Sequence, residues 1–387
     1  MPEAVVVATG RSPIGRAMKG SLVEVRPDDL GAHVVGRVLE KIPQVGAADI
    51  DDLICGCGLP GHEQGFNLGR VISVLSGLDV PGTTITRYCS SSLQSTRMAF
   101  HAIKAGEGDC FVSAGVECVS RFMYGMTDDP QNQNPRLEPD NDEGYPDIYI
   151  QMGETAERVA ELKRITREEQ DRYAVKSQTN AARAQESGFF EREIIPVPLP
   201  DGRTMTRDDG IRAGTTMEVL ATLKPAFREG GTVTPGNSCP LNDGAAAVVV
   251  MSDARAAGLG IKPLARIIAS GLSSINPEIM GLGPIEAVRQ ALGRAGMKIA
   301  DVDVIELNEA FAAQVIPVCR ELGVDPLDDR VNPHGGAIAL GHPFGMTGAR
   351  ITTTLLNGLQ ARDGTIGLET MCVGGGQGMA MIFERLS

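Results

Sequence analysis

Two loop-to-strand junctions, 252 residues apart, carry one pattern: Ala48-Asp49-Ile50-Asp51-Asp52-Leu53 and Ala300-Asp301-Val302-Asp303-Val304-Ile305. Before the first, Leu30, Val34, Val38 and Leu39 share a helical face; before the second, Ile285, Val288 and Leu292 do. A helix, turn and strand that recur this far apart point to an internally duplicated α/β unit. Elsewhere, short β-branched runs alternate with helix-period segments, which is the pattern of the α/β class. At ~150 residues per domain, 387 residues suffice for two or three domains, each able to bury a core without disulfide staples.

The 36 Lys+Arg against 49 Asp+Glu leave a formal charge of −13, with no strong basic run. That balance argues against nucleic acid and anionic membranes as partners, since both reward clustered Lys/Arg. Ala245 to Met251, the longest apolar stretch, is far short of the ~20 residues a membrane-spanning helix needs, so no membrane insertion is expected. The N-terminus enters a strand-like run with neither a basic nor a long apolar region, so no secretory signal is expected and the cytoplasm is the expected location. In that compartment the 8 cysteines stay reduced, and with no C-x2-C pair or matching His spacing a metal site is not expected. Cys55 and Cys57, at a strand end, read as packing residues.

Between the two copies the texture changes. Residues 121 to 150 are polar and rich in Pro and Gly, and read as a long excursion. Thr166-x-x-Glu169 is a capping box that opens a helix ending at Gly188. Residues 201 to 214 read as a second polar loop. The expected organisation is an N-terminal half of residues 1–118 plus about 241–265, a loop domain of 119–240, and a C-terminal half of 266–387.

Four blocks carry chemistry. In Thr86-Arg87-Tyr88-Cys89-Ser90-Ser91-Ser92-Leu93-Gln94 a strand turns into a helix, which Leu93, Arg97, Phe100 and Ile103 continue and Gly106 ends. Cys89 thus sits at a helix N-terminus, where bare N–H groups and the positive dipole end favour thiolate and are expected to lower its pKa. Asn308-Glu309-Ala310-Phe311 places polar groups where the second repeated strand ends. Asn332-Pro333-His334-Gly335-Gly336-Ala337-Ile338-Ala339-Leu340-Gly341-His342-Pro343 packs glycines around histidines, as a backbone approached closely requires. Met371-Cys372-Val373-Gly374-Gly375-Gly376-Gln377-Gly378 sets a second Cys beside a loop of bare N–H groups, which are oxyanion donors if aimed at a reacting carbonyl.

These blocks, in this order and across essentially the whole chain, resemble the thiolase family: acyl-CoA-dependent enzymes of a duplicated five-layer α/β/α/β/α fold with an inserted loop domain. The resemblance implies Cys89 as the acylated nucleophile and His342 as its activating base. It implies Cys372 as the acid/base at the substrate Cα and leaving thiol. Asn308 matches the residue whose water, with His342, stabilises the enolate oxygen. The N–H groups of Cys89 and Gly374 match a second oxyanion hole. Arg212 falls where similar enzymes contact the nucleotide end of CoA, and Ser238, Cys239, Met152 and Phe311 are further candidates for substrate contact. Two tasks, carrying an acyl group and moving a weakly acidic Cα proton, call for two thiols.

The implied reaction is thiolytic cleavage of 3-ketoacyl-CoA, or the reverse Claisen condensation. Coenzyme A and acetyl-CoA are its substrates, no cofactor is tightly bound, and the chain assembles as a homodimer or homotetramer. Departures from the family pattern, Thr86 for Asn, Ser92 for Gly, Cys239 for Ser and Gln151-Met152-Gly153 for His-Met-Gly, bear on acyl specificity. A ketoacyl-synthase-like condensing enzyme shares the Cys-Ser-Ser-Ser-Leu turn, but Cys372 and Gly341-His342-Pro343 favour thiolase. An inactive acyl-CoA or lipid carrier would have little use for Cys89, His342, Asn308 and Cys372 together.

Overall fold

The computed structural model describes residues 2–121, 133–138 and 143–387. The first half comprises β1 (Ala4–Arg11), β2 (Gly15–Arg16), α1 (Pro27–Leu39), β3 (Asp52–Gly56), α2 (Leu68–Leu75) and β4 (Gly82–Ile85). It continues through α3 (Ser91–Ala105) and β5 (Cys110–Cys118). The intervening region carries α4 (Met152–Lys163), α5 (Arg167–Glu186), the two-residue strands β6 (Val197–Pro198) and β7 (Thr204–Met205), and α6 (Met217–Ala221). Then follow β8 (Asn242–Ser252), α7 (Asp253–Gly258) and β9 (Ala265–Ser274). The second half closes with α8 (Gly283–Ala295), β10 (Val304–Leu307), α9 (Ala312–Glu321), α10 (Ala337–Leu340), α11 (Thr347–Ala361), β11 (Ile366–Val373) and β12 (Gln377–Arg385).

The strand order β10-β11-β12-β9-β1-β8-β5-β3-β4 contains the same half twice. β1-β8-β5-β3 is matched by β9-β12-β11-β10; β3/β5 and β10/β11 are the parallel pairs, and β5/β8 and β11/β12 are antiparallel. The two halves join where β1 meets β9 at only two residue pairs. The repeated Asp residues do the same work in each copy. Asp49 and Asp301 cap a short 3-10 turn through the N–H of Gly46 (2.8 Å) and Lys298 (2.7 Å). Two residues later Asp51 takes the N–H of Asp109 and Cys110, and Asp303 takes those of Thr365 and Ile366, so each pins the start of the neighbouring strand.

Both faces of the central strands are buried. Along β8, Ala245, Ala247, Val249 and Met251 join one apolar core with α1 and α2, while Ala246, Val248 and Val250 join another. The second core also holds Leu93 and Phe100 of α3, Leu355 of α11, and Met379, Met381 and Phe383 of β12. A third lies between the other face of β12 (Ala380, Ile382) and α8 and α9. Three cores between five layers, helices outside, two half-sheets, and α3 with α11 between them, give the α/β/α/β/α arrangement.

In the intervening region Thr166 and Glu169 cap α5 reciprocally, and the chain leaves through Gly188 at φ +75°. The loop expected over 201 to 214 instead begins inside a small hairpin, because Asp201 and Gly202 turn the chain so that β7 pairs with β6. Much of the 121 to 150 excursion lies outside the described residues. Cys55 and Cys57 are fully buried and unpaired. No described helix is long and apolar enough to cross a membrane.

Candidate active site

α3 and α11 occupy equivalent places in the two halves, and their first turns meet. Gly348 lies against the backbone of Leu93, where a Cβ would meet main-chain atoms well inside van der Waals distance. The Ser92 hydroxyl accepts the Ala349 N–H at 2.9 Å, satisfying an amide in the first turn of α11 from outside the helix. Ser92 is thus accommodated beside Gly115 and serves as a tie between the helices. Cys89 stands just before α3, and His342 just before α11, so the meeting of the helix starts draws the segments that carry them together.

Cys89 lies in a 3-10 turn, Tyr88–Ser90, after a residue with φ +43°, Tyr88. That left-handed kink, uncommon outside glycine, turns the chain from strand to helix and leaves the sulfur facing the 372–378 loop. The Cys89 sulfur accepts the N–H of Gly374 and of Cys89 itself. Burial, however, pushes the thiol up to about 11, and those two donors only partly offset it. The lowered pKa expected from the helix N-terminus is therefore overturned: desolvation outweighs the backbone N–H donors. Cys372, at the end of β11, is fully buried and pushed well above the usual thiol range by burial, with Cys89 and Cys239 acting in the same direction. The three thiols share one electrostatic neighbourhood.

His342 is held on three sides. Its backbone N–H donates to Asn242 Oδ1 at 2.9 Å, and its ring meets Phe344 edge-on with centroids 5.1 Å apart. Nδ1 lies 2.6 Å from the Thr347 hydroxyl, which itself donates to the Pro343 carbonyl at 2.7 Å. The hydroxyl has one proton and spends it on Pro343, so Nδ1 is the donor and Nε2 carries the lone pair. Nε2 faces Asn308 Nδ2 at 3.3 Å. Burial, with Arg350 adding, holds the imidazole down at about 3. The resting groups are thus a thiol and a neutral imidazole. Asn308 Oδ1 is buried and accepts no hydrogen bond among the described residues, which leaves it free to accept from a water.

The neighbour of Asn308 is the better anchored. Glu309, fully buried, accepts from Tyr173 (2.9 Å), Ser177 (2.5 Å), Asn332 Nδ2 (2.8 Å) and the Ile338 N–H (3.1 Å). It binds α5 and the glycine-rich 332–342 segment to the end of β10. A second buried carboxyl, Glu117 on β5, accepts from Gly58, Gly345 and Gln64 and fixes the loop after His342. His334 packs elsewhere: its ring stacks on Phe189 with centroids 3.6 Å apart, and burial lowers it to about 4.

A cavity of about 220 Å³ is lined by Arg16, Arg212, Phe227, Ser238 and Cys239 among others. Three of the sequence candidates therefore share one wall with a second arginine, Arg16. The 237–239 segment is stitched to the strand-end segment by Cys239 N–H to Ala310 O (3.0 Å) and Ala312 N–H to Asn237 O (2.9 Å). Phe311 is buried behind that wall, edge-on to Phe227. A Cβ on Gly374 would lie 3.7 Å from Met152 Sδ, so Met152 adjoins the N–H loop. Ile148 lies similarly near Gly375. Thr347, Asn242, Glu117 and Arg16 were not among the sequence candidates; only Thr347, five residues after His342 at a helix start, carried a local signal.

Residues 4–254 match the family model described as "Thiolase, N-terminal domain", and residues 261–385 match "Thiolase, C-terminal domain". A 3-ketoacyl-CoA thiolase of Bacillus subtilis (strain 168) is 44% identical over 99% of this chain and 100% of its own length. A 3-oxoadipyl-CoA/3-oxo-5,6-dehydrosuberyl-CoA thiolase of Escherichia coli (strain K12) is also 44% identical, over 100% of both chains. The crystal structure of the Bacillus anthracis acetyl-CoA acetyltransferase superposes with a TM-score of 0.91 at 38% identity, covering 100% of this chain and 99% of that one.

Proposed function

The chain belongs to the thiolase family and is an acyltransferase acting on CoA thioesters, and from that premise we propose how its own residues divide the reaction. In the cleavage direction His342 Nε2 takes the Cys89 proton as the sulfur attacks the 3-keto carbonyl of a 3-ketoacyl-CoA. The C2–C3 bond then breaks, leaving the shortened acyl group on Cys89 and an acetyl-CoA enolate that Cys372 protonates. In the second half Cys372 takes the proton of an incoming CoA thiol, which attacks the acyl-Cys89 thioester; Cys89 leaves and recovers its proton from His342. The N–H groups of Cys89 and Gly374 steady the tetrahedral oxyanions, and His342 with a water on Asn308 steadies the enolate oxygen, each donor lowering the barrier by ~3 kcal/mol.

The observation that carries this reading is the Gly374 N–H directed at the Cys89 sulfur, which joins the two halves at one reacting atom. A thiol near 11 beside an imidazole near 3 does not rest as an ion pair, so proton transfer accompanies attack. Mass spectrometry after mixing with acyl-CoA tests it. The expected result is an acyl adduct on Cys89, absent in Cys89→Ala, while Cys372→Ala still acylates but loses C–C cleavage. No adduct, or an active Cys89→Ala, overturns the assignment.

Arg212 and Arg16 line the cavity with positive charge suited to CoA phosphates, and Ser238 and Cys239 share its wall; Phe311 behind that wall and Met152 beside Gly374 support their place near the thioester end. The names of the relatives support 3-ketoacyl-CoA substrates; a role in fatty-acid or lipid degradation without a tightly bound cofactor is part of the same proposal, and thiolysis rates from acetoacetyl-CoA to long-chain and ring-bearing substrates measure the acyl range. Ile148 beside Gly375 supports the excursion as part of the acyl tunnel. A homodimer or homotetramer is supported by the sheet edge at β4, close in sequence to Phe66 (96% exposed), Val74 and Leu75; light scattering of the eluted protein reads it directly. The division into N-terminal half, loop domain and C-terminal half follows the repeat. Eight unpaired cysteines support a cytoplasmic enzyme, which fractionation tests.

A further inference from the structure

The larger of the two cavities described lies away from the thiols. It measures about 390 Å³, and its wall includes Thr9, Lys41, Gln44, Arg192, Lys262 and Asn357, with no Asp or Glu. Three cations around one cavity are unexpected in a chain of charge −13. Arg192 and Lys262 form no side-chain hydrogen bond or ion pair among the described residues. Lys41 spends one donor on the Thr9 carbonyl at 2.7 Å, and burial lowers its pKa, as for an ammonium short of compensation. Glu193, the carboxylate that acts on Lys41, is already taken by Arg11 at 2.6 Å and by Thr354 and Asn357.

The backbone explains why the cavity exists. β1 pairs with β9 only at Val5 and Val6, and its next contact on that edge is Arg11 with Glu193 and Ile195. Between them the register against β8 jumps at Val7, a bulge of the kind that sets strand edges beside ligand sites. The edge of Val7, Ala8 and Thr9 therefore faces the cavity, opposite the amides of Gln44 and Asn357. A volume in the range of small-ligand pockets, two cations, Arg192 and Lys262, without ion-pair partners among the described residues, and neutral amides alongside describe a phosphorylated ligand with a polar organic portion.

We propose that this cavity is a second binding site, separate from the thiol centre, that takes a nucleoside di- or triphosphate with its phosphates on Arg192, Lys262 and Lys41. Because CoA itself carries an ADP-like portion, the test must separate the two sites. Isothermal titration with ADP, pyrophosphate and adenosine is run on the full chain and on the Arg192→Gln/Lys262→Gln double variant, with thiolysis measured in parallel. ADP is expected to bind saturably with a dissociation constant below ~1 mM, adenosine not to bind, and the double variant to bind ADP at least tenfold more weakly with an unchanged KM for CoA. Arg192→Lys is expected to retain binding, which guards against a folding defect in the double variant. ADP bound equally by wild type and double variant would place it in the CoA cavity and overturn the proposal, as would the absence of saturable binding. Pyrophosphate binding as tightly as ADP would reduce the site to an anion hole and overturn the nucleotide.

Discussion

The Thr347 hydroxyl decides which nitrogen of His342 is a base. It donates to Pro343 and accepts from Nδ1, so the lone pair sits on Nε2, toward Asn308. Replacing Thr347 by Val keeps the volume but leaves the buried Nδ1–H without a partner, a loss of ~1–3 kcal/mol that falls on the base rather than on CoA binding. The expected result is a fall in kcat of about tenfold or more with KM little changed; an unchanged kcat would show that the tautomer is fixed elsewhere. Glu309 makes the complementary case. Four donors converge on its two oxygens, and Glu309→Gln turns one acceptor into a donor facing donors. A loss of about 2–3 kcal/mol in unfolding free energy is expected, together with a slower C–C step, because Asn308 is the next residue. A denaturant midpoint equal to that of wild type would rule this out.

At the scale of elements, the proposed mechanism depends on the crossing of α3 with α11. Each helix begins just after one of the side chains proposed to react, Cys89 or His342, and Gly348 allows the close approach. Gly348→Ala sets a methyl against the Leu93 backbone, which has no flexible end to yield. Overpacking of this kind costs about 1–3 kcal/mol and separates the two helix starts, so kcat is expected to fall more than stability alone explains. Acyl-adduct formation at a temperature where the variant is fully folded measures that, and a normal rate would contradict it. The same crossing marks what was legible beforehand. The Asp repeat, the capping box at Thr166 and the turn at Cys89 are local patterns with local physical causes, and each element formed where its pattern lay. The partners of His342 and Glu309 were not legible: Asn242 is 100 residues from His342, and Tyr173 is 136 residues from Glu309. The raised thiol of Cys89 is not legible in the sequence, because its position at a helix start is written in the chain whereas its burial is made by tertiary packing.

Across the whole molecule, the duplication buries charge at the centre. Glu306 of β10 and Glu369 of β11 are direct neighbours in the parallel register, both fully buried with Arg350 of α11 beside them. Burial raises Glu306 to about 8, with Arg350 opposing, and raises Glu369 well above the usual carboxyl range. From the ordinary 4.5 up to about 8 the folded Glu306 holds a proton that the unfolded chain releases, so its contribution to stability is full below that window and is lost as pH rises through it. His342 and His334 work in the other direction: lowered from 6.5 to about 3 and about 4, they stay neutral while the unfolded chain binds protons, so stability is lost as pH falls below 6.5. The opposing slopes overlap between 4.5 and 6.5, and above 6.5 the histidines no longer contribute. Wild-type stability is therefore expected to decline from pH 6.5 to 8, with Glu306 adding up to about 1.4 kcal/mol per pH unit. Glu306→Gln imitates the protonated carboxyl at every pH and removes that part of the slope. Chemical denaturation at half-unit steps from pH 6 to 8.5 compares the two: the variant should lie close to wild type at pH 6 and gain on it steadily toward pH 8. Parallel curves over that range would mean that Glu306 is already ionised in the fold, held by Arg350 as one member of a buried ion pair.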